Sequence, residues 1–165
     1  MQNRPKIQLQ LSSFDKFLEK TGILAILILW VVTVYAYINL PDTIPTHFNF
    51  SGKPDSYGAK ATLFLLPVLG TLIFFGFSIL SKRPHIFNYP TTITAANAKK
   101  QYGYVTRMLR ILKTSILFIL IAVVIFTSLT ATGKTRGFSA WFLPCIIGFI
   151  LIPVGYYITK SFAAK

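Results

Sequence analysis

Four long stretches without a charged residue dominate this 165-residue chain, at residues 21–41, 61–81, 114–133 and 137–159. They hold 21, 21, 20 and 23 residues. A helix of about 20 residues, rising ~1.5 Å at each, crosses the ~30 Å hydrocarbon layer of a bilayer. Because that layer offers no water to the backbone N–H and C=O groups, each stretch must be helical. The sequence therefore predicts an all-α membrane protein with four transmembrane helices.

The composition excludes two other classes of protein. Apolar residues make up 53% of the chain and charged residues 13%, whereas a soluble domain usually carries ~25% charged residues. A disordered chain needs low hydrophobicity, and this chain has the opposite. The single cysteine, Cys145, rules out an internal disulfide framework and a cysteine-based zinc cluster. No phosphate loop or nucleophile elbow occurs, and we expect no cofactor.

The 17 Lys and Arg residues are distributed unevenly around the four stretches. Thirteen lie in residues 1–20, 82–113 and 160–165, and four lie in residues 42–60 and 134–136. Basic residues near span ends remain on the cytoplasmic side. We therefore predict that both termini and the 82–113 loop are cytoplasmic, and that residues 42–60 face outward.

The 82–113 loop contains a second helical pattern, with Thr94 as N-cap and a helix that runs from Ala95 toward the third span. One face of this helix is apolar: Ala98, Tyr102, Val105, Leu109 and Leu112. The opposite half is basic, and the residues predicted to contact anionic lipid are Lys99, Lys100, Arg107, Arg110 and Lys113. Such a helix lies in the membrane interface, although the same face also suits a protein partner. Since orientation and anionic headgroups account for the basic residues, we predict no nucleic-acid partner.

The loop between the first two spans, residues 41–60, is expected to be ordered. Its prolines and glycines restrict or permit specific backbone angles, and its aromatic residues offer surface to bury. We predict an extended piece from Thr46 to Phe50 and a turn from Ser51 to Pro54. The candidate functional residues of this loop are Pro41, Asp42, Pro45, His47, Asn49, Gly52, Pro54, Asp55, Tyr57, Gly58 and Lys60.

Several activities are compatible with this loop. Asp42, His47, Asn49 and Asp55 could act in general acid–base catalysis or ligate a metal. Their spacing matches no short metal motif, and such side chains also bond the backbone of their own loop. We therefore assign no catalytic or metal-ligating residue and predict binding or sensing of an envelope peptide or partner protein. A membrane-embedded enzyme and a subunit of a homo-oligomeric pore are the alternatives, whereas a coupled transporter needs ionisable groups that the spans lack.

The same loop carries a recognisable pattern. Its matching positions are Pro41, Asp42, Ile44, Pro45, His47, Phe48, Asn49, Gly52, Pro54, Asp55, Tyr57, Gly58 and Lys60. This pattern resembles the bacterial and archaeal membrane domain of unknown function at the N-terminus of SdpI-type immunity proteins. The run from Phe87 to Pro90, with Thr94, Asn97 and Tyr102 after it, is similar to the segment after the second span in these proteins.

The resemblance implies a small protein of the prokaryotic cell (inner) membrane. It places the shared membrane domain at residues 21–113, after a cytoplasmic segment at residues 1–20. Residues 114–159 would add two further transmembrane helices, and residues 160–165 a cytoplasmic tail. These last two spans do not resemble the C-terminal region of SdpI-type proteins, so the resemblance does not transfer immunity against a toxin to this chain and implies a membrane protein of unestablished activity.

Overall fold

The computed structural model describes residues 4–164 and is mostly helical. Its long helices are α1 (Ser13–Asn39), α2 (Leu65–Leu80), α3 (Ala98–Ala131) and α4 (Phe142–Ala163). A 3₁₀ turn, Lys60–Phe64, leads into α2, and another, Pro84–Ile86, comes after it. All four helices are long and apolar enough to cross a membrane, when α2 is taken together with its leading turn. The prediction of a multi-pass membrane protein with four spans is confirmed at this level.

Helix α3 lies at the centre and packs against the other three helices. The core between α1 and α3 contains Leu29, Leu117 and Val124, which are almost completely buried. Helix α2 approaches them through Gly70, where an added Cβ would lie 2.8 Å from Leu29 Cδ2. A small residue at this position allows the close helix contact on which membrane bundles depend.

Residues 43–59 form a β-hairpin, which corrects the all-α expectation. Strand β1 (Thr43–Phe48) pairs antiparallel with β2 (Pro54–Ala59). The extended piece and turn expected in this loop correspond to β1 and the connection between the strands. The second strand escaped prediction because it begins with Pro and contains Asp and Gly, residues that are depleted in strands. We call this end of the bundle the hairpin end, and the opposite end, where the carbonyls of Pro5 and Ala164 accept hydrogen bonds from the start of α3, the termini end.

The predicted interfacial helix is not a separate element. Residues 98–113 are the first turns of α3, which runs unbroken for 34 residues, or ~51 Å. Its N-cap is Asn97 rather than Thr94. Thr94 nevertheless caps the turn that leads into the helix, because its side chain and that of Asn97 each accept a hydrogen bond from the backbone N–H of the other, as in a capping box. The regular helix begins at Ala98, three residues later than expected.

The apolar face of this segment is buried against protein. Tyr102 is completely buried, and a small cluster around it includes Ile7, Leu9, Tyr89 and Ile93. The Tyr89 hydroxyl donates to the Pro84 carbonyl at 2.8 Å, and burial raises the pKa of Tyr89. The chain segments that precede α1 and α3 thus cover a face that the sequence suggested would meet lipid.

Three basic residues of α3 form ion pairs with the start of α1. Arg107 Nε lies 2.8 Å from Asp15 Oδ1, and Arg110 Nε lies 2.9 Å from Glu19 Oε1. The ammonium of Lys113 lies 2.6 Å from Glu19 Oε2. These pairs tie α1 to α3 at the termini end.

Burial distinguishes the predicted lipid-contacting residues from one another. Lys113 is completely buried, and it also donates to Ser78 Oγ of α2 at 2.9 Å. Lys99 and Lys100, two turns or more before the ion pairs, are exposed. Contact of these two residues with anionic lipid remains a prediction.

Candidate functional site

Asn49 organises the turn of the hairpin. Its backbone N–H donates to the Lys53 carbonyl at 2.9 Å, and its side-chain Oδ1 accepts from Ser51 N at 2.9 Å and Lys53 N at 3.1 Å. An Asn side chain commonly substitutes for a backbone acceptor in this way. Gly52 completes the turn with φ +77°, a conformation that is easily adopted only by glycine.

A β-bulge directs Asp55 toward His47. Phe48 pairs with Pro54 and His47 with Ser56, so Asp55 is an extra residue without a cross-strand partner. Bulges redirect side chains in this way and are common beside functional sites. His47 Nδ1 lies 2.5 Å from Asp55 Oδ1, and the two side chains are 68% and 42% exposed. The contact fixes the orientation of the imidazole and leaves Nε2 available to another molecule.

The hairpin packs on the loop between α3 and α4, residues 132–141. The Phe138 amide donates to the Gly52 carbonyl at 2.8 Å. Gly137 has φ +127°, and an added Cβ there would lie only 2.1 Å from the Gly52 oxygen. The rings of Phe48 and Phe138 meet edge to face with centroids 4.4 Å apart. The two glycines thus permit a backbone contact that the aromatic pair then reinforces.

A cavity of about 460 Å³ lies between the hairpin and the first turns of α4. Its polar lining consists of Thr46, His47, Asn49, Asp55 and Ser139. Its apolar lining consists of Phe48, Phe50, Val123, Phe138, Phe142, Leu143 and Ile146, with Gly52 beside them. A few convergent polar groups against an aromatic and aliphatic wall are typical of a ligand-binding site.

The comparisons with known proteins bear on one wall of this cavity. Residues 24–71 match the domain of unknown function DUF1648. That segment contains most of α1, the whole hairpin and the beginning of α2, and therefore His47 and Asp55. The cavity wall contributed by the α3–α4 loop and α4 lies outside it.

One curated relative matches a longer part of the chain. An uncharacterized protein of Archaeoglobus fulgidus is 30% identical over 88 residues, which are 48% of this chain and 48% of that protein. The chain thus spans about half the length of the curated relative it matches. No solved structure matches the chain.

Asp42 and Lys60 close the base of the hairpin, away from the cavity. Lys60 Nζ donates to the Leu40 carbonyl at 3.1 Å and lies 3.2 Å from Asp42 Oδ1. The ammonium also lies 5.3 Å from the centre of the Tyr37 ring, a cation–π distance. Since the Asp42 side chain is 96% exposed, the contacts of Lys60 with α1 contribute most to this closure.

The remaining candidate residues shape the hairpin without lining the cavity. Pro45 is buried and pairs with Tyr57, whose side chain points into solvent. Gly58 allows the strands to approach, because an added Cβ would lie 3.1 Å from Thr46 Cγ2. Pro54 begins β2, and Pro41 joins α1 to β1. Four of the eleven candidates therefore line the cavity: His47, Asn49, Gly52 and Asp55.

The second wall was not predicted. Phe138, Ser139, Phe142 and Ile146 lie more than 80 residues from the hairpin turn, in a segment that carries no local polar pattern. Its one signal is the pair of glycines, Gly133 and Gly137, which mark a turn but not the segment that the turn contacts. Within residues 4–164, no three His, Cys, Asp or Glu side chains lie close enough together to hold a metal ion.

Proposed function

We propose that this protein binds an amphiphilic ligand of the cell envelope in the cavity between the hairpin and α4. The observation that carries the proposal is the mixed lining, in which the His47–Asp55 pair and Ser139 lie among phenylalanines from both walls. A ligand with both hydrogen-bonding and apolar parts satisfies both kinds of lining. An envelope peptide is one such ligand, and the resemblance to SdpI-type proteins makes immunity against a peptide one form of this function.

The proposal includes a location and an orientation. We place the protein in the prokaryotic cell membrane with its hairpin outside and both termini in the cytoplasm. The support is the excess of Lys and Arg at the termini end, since basic residues near spans stay in the cytoplasm.

Thiol labelling of intact cells tests this orientation. Ser51 is exposed at the hairpin turn, so Ser51→Cys in a Cys145→Ala background presents one thiol there. We expect a membrane-impermeant maleimide to label it in intact cells. Labelling that requires permeabilised cells would contradict the orientation and, with it, the envelope ligand.

Photo-crosslinking in cells tests ligand binding. Phe50 lines the cavity mouth and is 92% exposed, so a photoreactive amino acid there should capture the ligand. The same amino acid at Ile86, an exposed position at the termini end, is the control. Because a hydrogen bond to a charged group contributes ~1.5–3 kcal/mol, His47→Ala and Asp55→Ala should each lower the adduct yield about tenfold or more.

Asp42→Ala is the matched variant for this experiment. It removes a carboxylate from the same hairpin, but at a position that does not line the cavity. We expect it to leave the adduct yield unchanged. Equal yields from the His47→Ala, Asp55→Ala and parent proteins would remove this pair from the proposed site.

A second candidate function, hydrolysis, is favoured by one observation. Asp55 holds His47 by Nδ1, and Ser139 lines the same cavity. An imidazole held in this way can act as a general base toward a hydroxyl or a water. The purified protein would then hydrolyse a chromogenic ester, and His47→Ala would abolish the activity.

A further inference from the structure

The ion pairs between α1 and α3 join three cations to two carboxylates. Both oxygens of Asp15 accept hydrogen bonds from Arg107, at 2.8 Å and 2.9 Å. Glu19 serves the other two cations, because its Oε1 accepts from Arg110 Nε at 2.9 Å and its Oε2 from Lys113 Nζ at 2.6 Å. These two cations are only 6% and 0% exposed. A buried charge without a counter-charge costs free energy, so the cluster favours a further anion.

The guanidinium of Arg110 also has hydrogen-bond donors left over. Its Nε donates to Glu19, but within residues 4–164 neither Nη1 nor Nη2 has a hydrogen-bond acceptor. The nearest carboxylate oxygen to Nη1 that forms an ion pair, Asp15 Oδ1, lies at 3.9 Å, beyond hydrogen-bonding distance. Two terminal nitrogens form the end of a planar fork that pairs with two oxygens of a phosphate or carboxylate.

Arg110 borders a cavity of about 500 Å³ at the termini end, which we call the basic pocket. Its polar lining comes from α1, α3 and the end of α2: Glu19, Ser78, Ser81, Lys82 and Arg110. Its apolar lining comes mainly from residues 7–11, before α1. The Ser78 hydroxyl accepts from the buried ammonium of α3, and in the described part of the chain its own hydrogen has no acceptor. The pocket therefore presents several donors to one ligand.

The basic pocket lies at the depth where the uncharged stretches end. Lys82 directly follows the stretch 61–81, and Glu19 lies two residues before the stretch 21–41. Since charged residues mark the boundary of the hydrocarbon layer, the pocket lies at the level of the lipid headgroups. Basic pockets between transmembrane helices at this level bind phosphate-bearing headgroups.

We propose that the basic pocket binds the phosphate group of a phosphate ester. A phosphate supplies the negative charge that the ion pairs lack, and its tetrahedral oxygens reach donors in different directions, whereas a carboxylate is planar. Glu19 also borders the pocket, but both of its oxygens are already paired with cations. The apolar segment 7–11 offers contact to the organic part of the ester. The pocket lies at the end opposite His47, so this inference is independent of the proposed function.

Native mass spectrometry tests a lipid headgroup as the source of the phosphate. The full chain, purified in a phosphate-free detergent, is mixed with phosphatidylglycerol or with a diacylglycerol that has the same acyl chains and no phosphate. We expect a one-to-one adduct with phosphatidylglycerol and about tenfold less adduct with diacylglycerol, which forms no charge-assisted hydrogen bond with Arg110.

Thermal unfolding in the same detergent tests a soluble source. Inorganic phosphate is compared with chloride at equal ionic strength, because a ligand that binds only the folded protein raises the thermal midpoint. A midpoint raised by phosphate alone supports the proposal with a soluble ester as ligand. An unchanged midpoint together with a phosphatidylglycerol adduct supports it with a lipid headgroup as ligand.

Three variants connect either response to the pocket. Arg110→Lys keeps a cation beside Glu19 but removes the fork, so it should lower the apparent affinity about tenfold. Lys82→Gln should lower it less, because Lys82 is exposed. The matched Arg83→Gln removes the next cation along the chain, which is exposed and does not line the pocket, and should leave the affinity unchanged.

Two results would overturn the inference. One is that neither phosphatidylglycerol nor inorganic phosphate exceeds its phosphate-free counterpart, a comparison that needs no variant. The other is that Arg83→Gln weakens binding as much as Lys82→Gln, which would assign the effect to general surface charge even if Arg110→Lys fails to fold. Neither result bears on crosslinking from Phe50, so the proposed function at the hairpin end fails or stands separately.

Discussion

The Gly52 carbonyl accepts a hydrogen bond from the Phe138 amide at 2.8 Å, and this contact joins the hairpin to the α3–α4 loop. An alanine at residue 52 would place its Cβ 2.2 Å from the Phe138 oxygen while φ stays at +77°. Positive φ costs a non-glycine residue ~1–2 kcal/mol, and the clash adds to that cost. We predict that Gly52→Ala lowers the free energy of unfolding by more than about 2 kcal/mol, measured by denaturation in micelles.

Gly133→Ala is the control that separates backbone strain from the clash. Gly133 has φ +73°, but nothing lies within 4 Å of an added Cβ. The Gly133→Ala variant should lose only ~1–2 kcal/mol of free energy of unfolding, which is the cost of positive φ for a non-glycine residue. Amide hydrogen exchange of residues 43–59 should stay unchanged. Equal losses from both variants would show that the close approach at Gly52 contributes nothing.

A second prediction concerns the ion pair of the buried Lys113. Glu19→Gln removes the charge beside the Lys113 ammonium, which would then be buried with Ser78 as its remaining hydrogen-bond partner. Removing one member of a buried ion pair typically costs ~3–5 kcal/mol, and we expect a loss of that order in the free energy of unfolding. Adding Lys113→Met should recover part of it, because the unpaired ammonium is gone, while buried Arg110, which also loses its Glu19 carboxylate, keeps only Asp15 at 3.9 Å. A double variant that is no more stable than Glu19→Gln would contradict this account.

Gln101 should control the mobility of the last turns of α4. Its Nε2 donates to the carbonyls of Ser161 at 2.9 Å and Ala164 at 3.0 Å, and its Oε1 accepts from the Ser161 hydroxyl. We predict that Gln101→Leu raises amide hydrogen exchange in residues 157–163, since the end of α4 loses these three bonds. Gln10→Leu, at an exposed position before α1, should leave that exchange unchanged.

Thr33 offers a stabilising substitution. It is completely buried, and within residues 4–164 its hydroxyl has no hydrogen-bond partner. Because an unsatisfied buried hydroxyl costs ~1–3 kcal/mol, Thr33→Val should raise the thermal midpoint. Thr114→Val, which removes a hydroxyl that donates to the Arg110 carbonyl at 2.8 Å, should not raise it. A lower midpoint for Thr33→Val would indicate that the Thr33 hydroxyl is satisfied in solution.

The uncharged stretches located the spans but not the helix ends. Helix α1 begins at Ser13 and α3 at Ala98, well before the uncharged stretches at residues 21 and 114. A charge marks where the hydrocarbon layer ends, whereas a helix continues as long as its backbone bonds are made. Asp15 and Glu19 on α1, and Arg107 and Arg110 on α3, show the consequence, because each helix continues far enough to pair its charges with those of the other.

The cavity could be predicted only in part. The hairpin side could be predicted because its turn residues and aromatic residues lie close together in the sequence and favour particular local structures. The register shift that brings Asp55 onto His47 depends on strand pairing, which single-residue propensities do not encode. The opposite wall depends on Gly52 meeting Phe138, a contact between segments 86 residues apart that no periodic pattern predicts.

Helix α3 is one continuous rod of ~51 Å that extends from the termini end to the hairpin end of the bundle. Val123 forms part of the cavity floor, and Arg107 sits in the ion pairs at the far end. A rod that pivots within the bilayer moves its two ends in opposite directions. If α3 tilted as a rigid body, a shift of the cavity floor at Val123 would therefore accompany a shift of the ion pairs at Arg107.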